Sequence, residues 1–105
     1  MFLAKASNIT VNGNETKTII SETDIDSQSL VVVRIKANYA MTFKLYLYDT
    51  DFDENDPYYT KTLTANKTLT VSIGERFRFL RVLVTNSDTN PHKVILCTVR
   101  GRGGQ

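Results

Sequence analysis

Leu30-Val31-Val32-Val33-Arg34-Ile35-Lys36-Ala37, followed after Asn38-Tyr39-Ala40 by Met41-Thr42-Phe43-Lys44-Leu45-Tyr46-Leu47-Tyr48, sets the fold class. In an extended chain alternate side chains share a face, so Val31, Val33, Ile35 and Ala37 lie opposite Arg34 and Lys36. The second run repeats the pattern, with Met41, Phe43, Leu45 and Leu47 on one side and Thr42, Lys44, Tyr46 and Tyr48 on the other. The two runs predict half-buried strands, joined as an antiparallel hairpin at the heart of the core.

The same period extends both ways along the chain. Upstream, Asn8 to Asn12 and Thr16 to Ile20 read as strands about the turn Asn12-Gly13-Asn14, whose residues tolerate positive φ. Ser21 to Gln28 has no apolar face and reads as a loop. Downstream come Tyr58 to Thr64, then Thr68 to Ile73 with Leu69, Val71 and Ile73 inward, and finally Lys93 to Val99. The strand Arg76 to Thr85 is apolar on both faces. Leu80, Val82 and Val84 share one; Phe77, Phe79 and Leu83 surround Arg81 on the other. Such a strand needs cover on both sides, from this chain or from another molecule. Phe77, Phe79, Arg81 and Leu83 are therefore the candidate interface.

These segments predict an all-β, single-domain antiparallel β-sandwich of seven to eight strands, immunoglobulin-like or jelly-roll in type. It spans residues 1–99, and Arg100-Gly101-Arg102-Gly103-Gly104-Gln105 reads as a flexible Arg/Gly tail. A chain of 105 residues with 41% hydrophobic and 23% charged residues fits one folded core and excludes wholesale disorder. No stretch is long and apolar enough to span a membrane, and the N-terminus lacks a signal-peptide core. Folding in the cytoplasm is the expectation. The lone Cys97 is flanked by apolar residues with no activating base, and reads as a buried thiol. Asn-x-Thr triplets begin at Asn8, Asn14 and Asn66 and read as chance products of composition.

Charge is uneven along the chain. Residues 1–60 carry nine acids and five bases, residues 61–105 two acids and eight bases. That polarity suits head-to-tail contact between copies or docking onto a charged partner, and equally a solvated surface.

Three constellations bear on chemistry. Asp49, Asp51 and Asp53 open an acidic loop with the D-x-D-x-D spacing that suits Ca²⁺, although Glu54 stands where an EF-hand requires Gly and Thr60 where it requires Glu, and the loop reads also as a solvated one or as a salt-bridge partner for the basic half of another molecule. Tyr46 and Tyr48, extended by Tyr58 and Tyr59, form a candidate platform for stacking on a glycan. Arg76, Arg78, Arg81, Arg100 and Arg102, with Phe77 and Phe79 interleaved, raise nucleic-acid binding, to which the Arg-Gly tail adds, but the small net charge and the acidic loop argue against it. Adjacent loop carboxylates do not make an acid/base pair across a cleft, and the single His92 has no Ser or Cys arranged as a triad partner. No catalytic apparatus, and no resident cofactor, is expected.

Glu75-Arg76-Phe77-Arg78-Phe79-Leu80-Arg81-Val82-Leu83-Val84-Thr85-Asn86 resembles a strand of several β-sandwich families, among them carbohydrate-binding modules and the small structural proteins of bacteriophage virions. The chain is similar to the second group in size and in starting at Met without a signal peptide. The resemblance implies a capsid-associated or decoration protein, oligomeric and non-enzymatic, located in the virion. It carries over no functional residue. Carbohydrate binding is the alternative.

Overall fold

The computed structural model describes residues 2–103 and contains eight strands in two antiparallel sheets. They are β1 (Phe2–Val11), β2 (Glu15–Asp24), β3 (Gln28–Ala37), β4 (Thr42–Tyr48), β5 (Tyr59–Thr62), β6 (Leu69–Ile73), β7 (Phe79–Asn86) and β8 (His92–Gly103). The front sheet has the order β1-β8-β3-β6 and the back sheet β2-β7-β4-β5. The all-β sandwich expected from alternation is the fold observed. Its order decides the topology: the first two strands lie in different sheets, whereas an immunoglobulin fold pairs them in one, and the orders β1-β8-β3-β6 and β2-β7-β4-β5 are those of a jelly roll.

The predicted hairpin between β3 and β4 does not form. β3 pairs with β6 and β8, and β4 with β5 and β7. Six of the seven connections pass from one sheet to the other; only β4 to β5 stays within a sheet. Alternation records which residues face the core but carries no information on the strand alongside, so a short turn reads equally well as a hairpin or a crossing. The segment after Ile20 also differs from expectation. β2 continues to Asp24 through two register shifts against β7, which lets Ile19 and Ile20 both bury and breaks the period that marks a strand.

Between the sheets lies a core of Val11, Val31, Val33, Ile35, Val94, Cys97 and Val99 from the front, and Phe43, Leu45, Leu80, Val82 and Val84 from the back. Met41, Leu63 and Ile25 close it from the loops. Each buried Val, Leu or Phe contributes about 1.5–3 kcal/mol relative to exposure.

Among the described residues positive φ occurs at Asn8 (53°), Asn14 (57°) and Asn66 (62°), the same three that begin the Asn-x-Thr triplets. Asn is the non-glycine residue best able to hold the left-handed conformation, which accounts for its presence at each position. Gly13 has a different reason: a Cβ there would collide with the Thr89 carbonyl, so the β1–β2 turn packs directly on the β7–β8 loop. Asn14 N–H donates to the Asp88 carbonyl across the same contact (3.0 Å). Asn86, fully buried, ties this end together. Its Nδ2 donates to the carbonyls of Val11 (3.1 Å), Asn12 (3.2 Å) and Asn90 (2.8 Å), and its Oδ1 accepts from Asp88 N–H (3.0 Å).

β8 does not stop at Val99. Arg100, Gly101, Arg102 and Gly103 pair with β3, with Val32 opposite Arg100 and Leu30 opposite Arg102. The expected tail is therefore strand to Gly103, and Gly104 and Gln105 lie outside the described residues. Two glycines hide the pattern, since Gly101 occupies an inward position without an apolar side chain. The Gln28 side chain fills the space its Cβ would take.

Candidate contact surface

The apolar patch on the outer face of the back sheet is covered by the chain itself. Phe79, Leu83, Tyr46 and Tyr48 point away from the main core, and the loop 49–57 folds across them as a strap. Phe52 turns inward from the strap, edge-on to Tyr46 (ring centroids 4.9 Å apart) and tilted against Tyr48 (5.7 Å). Tyr46 hydroxyl donates to the Glu54 carbonyl (2.9 Å), and Asp49 Oδ1 accepts from Arg78 N–H (3.0 Å). The Arg81 guanidinium lies 4.3 Å from the Phe52 ring and 3.8 Å from the Glu22 carboxylate, while Tyr48 hydroxyl donates to that carboxylate (2.7 Å). The second apolar face of β7 thus finds its cover within the molecule. As an open interface, Phe79, Arg81 and Leu83 are consequently corrected; Phe77 precedes the strand and packs on the main core.

The tyrosine platform is corrected by the same cover. Tyr46 is 1% and Tyr48 9% exposed, and Tyr59 packs edge-on against Phe43. Only Tyr58 of the four is exposed, its ring edge-on to Phe77 and its hydroxyl donating to Glu75. Burial, then the Glu54 and Asp53 carboxylates, holds the Tyr46 phenol above its usual range. Burial and the bond to Glu22 raise that of Tyr48 against the opposing pull of Arg81, and the bond to Glu75 raises that of Tyr58.

Asp49, Asp51 and Asp53 do not converge as a metal site would require. Asp49 Oδ1 is taken by Arg78 N–H and Asp53 Oδ1 accepts from Asn55 N–H (2.9 Å). Among the described residues no three acidic, His or Cys side chains come together. With Phe52 turned in, Asp51 and Asp53 are exposed on the strap's outer side, joined there by Glu54 and Asp56. His92 stacks flat on Tyr39 (3.7 Å between centroids) and bonds Asp88 Oδ2 (2.8 Å), which holds that carboxyl below its usual range. Cys97 is buried, its thiol pushed up to about 12 by loss of solvent.

The outer face of the front sheet is a surface of another kind. None of its four strands contains an acid, and together they carry Lys5, Arg34, Lys36, Lys93, Arg100 and Arg102. Strand register arranges these in rows. Lys5, Thr98, Arg34 and Thr70 lie side by side across the four strands; the next row runs Phe2, Arg100, Val32 and Ser72. Arg100 stands 4.4 Å and Lys5 5.7 Å from the Phe2 ring. Phe2 is 50% and Leu96 38% exposed, and among the described residues no loop crosses above them in the manner of the strap. Two shallow depressions share Arg34 and Arg100. One is bounded also by Phe2, Lys36 and Leu96, the other by Leu30, Val32 and Arg102. Among the described residues none of the six cations is ion-paired.

Sequence reasoning misses this face although its signal is present. Arg34 and Lys36 alternate with Val33, Ile35 and Ala37, and Arg100 and Arg102 take the outward positions of the period set by Cys97 and Val99. What the sequence lacks is the pairing of β3 with β8, which sets the two basic pairs side by side.

No protein-family model matches the chain, and no curated protein matches it in sequence. Among solved structures it is similar to PirA, at 13% identity and a TM-score of 0.58, over 90% of this chain and 91% of that one. It is similar also to the carbohydrate-binding module CBM6cm-2 of Cellvibrio mixtus lichenase 5A, solved with cellotriose (7%, TM-score 0.56, 97% and 99% covered). A third is a Bacillus endospore appendage protein of disulfide-linked pili (12%, TM-score 0.58, 96% and 87%). At these identities the likeness shows the β-sandwich fold, which a carbohydrate binder and an appendage subunit have in common.

Proposed function

We propose that this chain is a non-catalytic structural domain that assembles with copies of itself through the outer face of the front sheet. The observation that carries the reading is the contrast between the two outer faces. One is closed by the strap; the other is left bare, with Phe2, Leu96 and six cations on a flat lattice of strands. Apolar anchors among arginines are the composition of a contact surface rather than of a solvated one. The longer molecular extents, 45 and 25 Å, bound the face at roughly 1,000 Å², against the ~800 Å² per partner of a stable interface. Within these residues the only cysteine is buried, so assembly here is non-covalent, unlike the pili of the appendage protein. A virion shell is the setting implied by the resemblance of Glu75–Asn86 to phage structural proteins, and a buried unpaired thiol suits folding in the cytoplasm.

The test is sedimentation velocity at tens of micromolar. Wild-type chain is expected to exceed monomer mass, and Arg34→Glu with Arg100→Glu to return it to monomer while keeping the wild-type circular dichroism. A wild-type monomer at about 0.1 M salt, where screening extends only ~10 Å, would overturn self-association.

Glycan binding is the second reading, favoured by one observation: Tyr58 is an exposed ring with a carboxylate, Glu75, at its hydroxyl. A glycan array with and without chelator decides it. Binding lost in Tyr58→Ala supports a lectin-like role, and an empty array removes it.

A further inference from the structure

We propose that the surface which seats on this basic face is the acidic strap of a second copy, so that the chain assembles head to tail into an open-ended polymer. The inference rests on the assembly reading above and adds the identity of the mate. A symmetric dimer through the front sheet would lay Arg34, Lys36, Arg100 and Arg102 of one copy against the same cations of the other. Like charges placed opposite one another in a drying interface oppose contact, and no acid in the front-sheet strands offsets them. The mate is therefore a different surface.

The molecule presents one of opposite sign on its far side. β4 alternates, so Phe43 and Leu45 enter the core while Tyr46 and Tyr48 project outward from the back sheet, and the strap lies upon those two rings. Phe52 orients the strap. Because its ring is spent on covering Tyr46 and Tyr48, its neighbours Asp51 and Asp53 face solvent, with Glu54 and Asp56 beside them. Asp51 and Asp53 are two residues apart, as are Arg34 and Lys36 on β3, and Arg100 and Arg102 on β8. Two residues of strand span roughly 7 Å, which sets the spacing within each pair of cations, and the exposed carboxylates of another copy's strap supply the opposite charge. The two surfaces lie on opposite sides of one sandwich. A contact consumes the front of one copy and the back of the next and leaves one of each free, which is a heterologous, propagating contact.

Two charge-inverted full-length chains test it: Arg34→Glu with Arg100→Glu on the face, and Asp51→Lys with Asp53→Lys on the strap. Wild type is expected to show a mass that climbs with concentration and falls toward monomer as salt rises from about 0.1 M to about 1 M, where screening shortens to ~3 Å. Each variant alone should be monomeric, since its substituted pair sets like charge against the pair it would meet: two acids against Asp51 and Asp53, or two cations against Arg34 and Arg100. An equimolar mixture should regain masses beyond a dimer, because each variant's front then complements the other's back. Should an inverted chain misfold by circular dichroism, the neutral pairs Arg34→Gln with Arg100→Gln and Asp51→Asn with Asp53→Asn replace it, each expected to weaken assembly at least tenfold. A strap variant that assembles like wild type overturns the inference and leaves the assembly reading standing. So does a closed dimer of fixed mass. A wild-type monomer that is held on heparin or oligodeoxythymidine, with retention lost in the face variant, overturns both and makes a polyanion the occupant; a monomer held by neither overturns both outright.

Discussion

Cys97 and Asn86 are both buried, and the sequence announces only the first. The apolar flanks of Cys97 mark it as buried, and burial pushes its thiol up to about 12 from an ordinary 9.0. The folded chain is therefore expected to resist iodoacetamide at pH 8 and to be alkylated once unfolded. The sign of the pH effect follows: with the folded value raised, the unfolded chain loses its proton first, so stability is intact below pH 9 and declines from there toward 12. Cys97→Ala should flatten that decline in thermal melts across this range. Asn86 reads as a loop residue because its partners, the carbonyls of Val11, Asn12 and Asn90, are backbone groups that no side-chain pattern reveals. Asn86→Ala is expected to cost about 2–4 kcal/mol, since it leaves buried carbonyls without donors, read as a lower urea midpoint at unchanged slope.

The strap shows what becomes legible only between elements. Five acids in eight residues, Asp49 to Asp56, mark it as a solvated or metal-binding loop, while the one residue that fixes its course is the aromatic between them. Phe52→Ala should cost about 2–3 kcal/mol, less than the loss of a full core ring because Phe52 is half-buried, and should speed cleavage of 49–57 by a Glu-directed protease. Tyrosine fluorescence reports the same change directly in a chain without Trp. The strands themselves are readable wherever one face meets the core without interruption, as in β3, β4 and β7. They are misread where a register shift doubles Ile19 and Ile20 inward in β2, and where Gly101 and Gly103 erase the apolar mark in β8. Alternation is visible only where the register is unbroken and every inward position carries an apolar side chain; β2 fails the first condition and β8 the second.

Across the whole molecule, strand order redraws the charge division seen along the sequence: the front-sheet strands hold six of the thirteen cations and none of the eleven acids. Lys5 and Arg34 come from the acid-rich half, yet they stand beside Thr98 in the front sheet's basic lattice. Strand order produces that rearrangement, and it also shapes how the domain comes into being. β8 is the last strand of the sandwich, and it alone links β1 to β3. While a ribosome is still holding those residues in its exit tunnel, the front sheet is two separate pieces, and the first strand has nowhere to go. Folding during synthesis is thus withheld until β8 emerges, and a chain ended at Asn90 should show no cooperative unfolding transition by calorimetry. Until β8 emerges, ribosome-bound chains would present bare β-edges, a window in which neighbours on one polysome meet each other before either has closed its own sandwich.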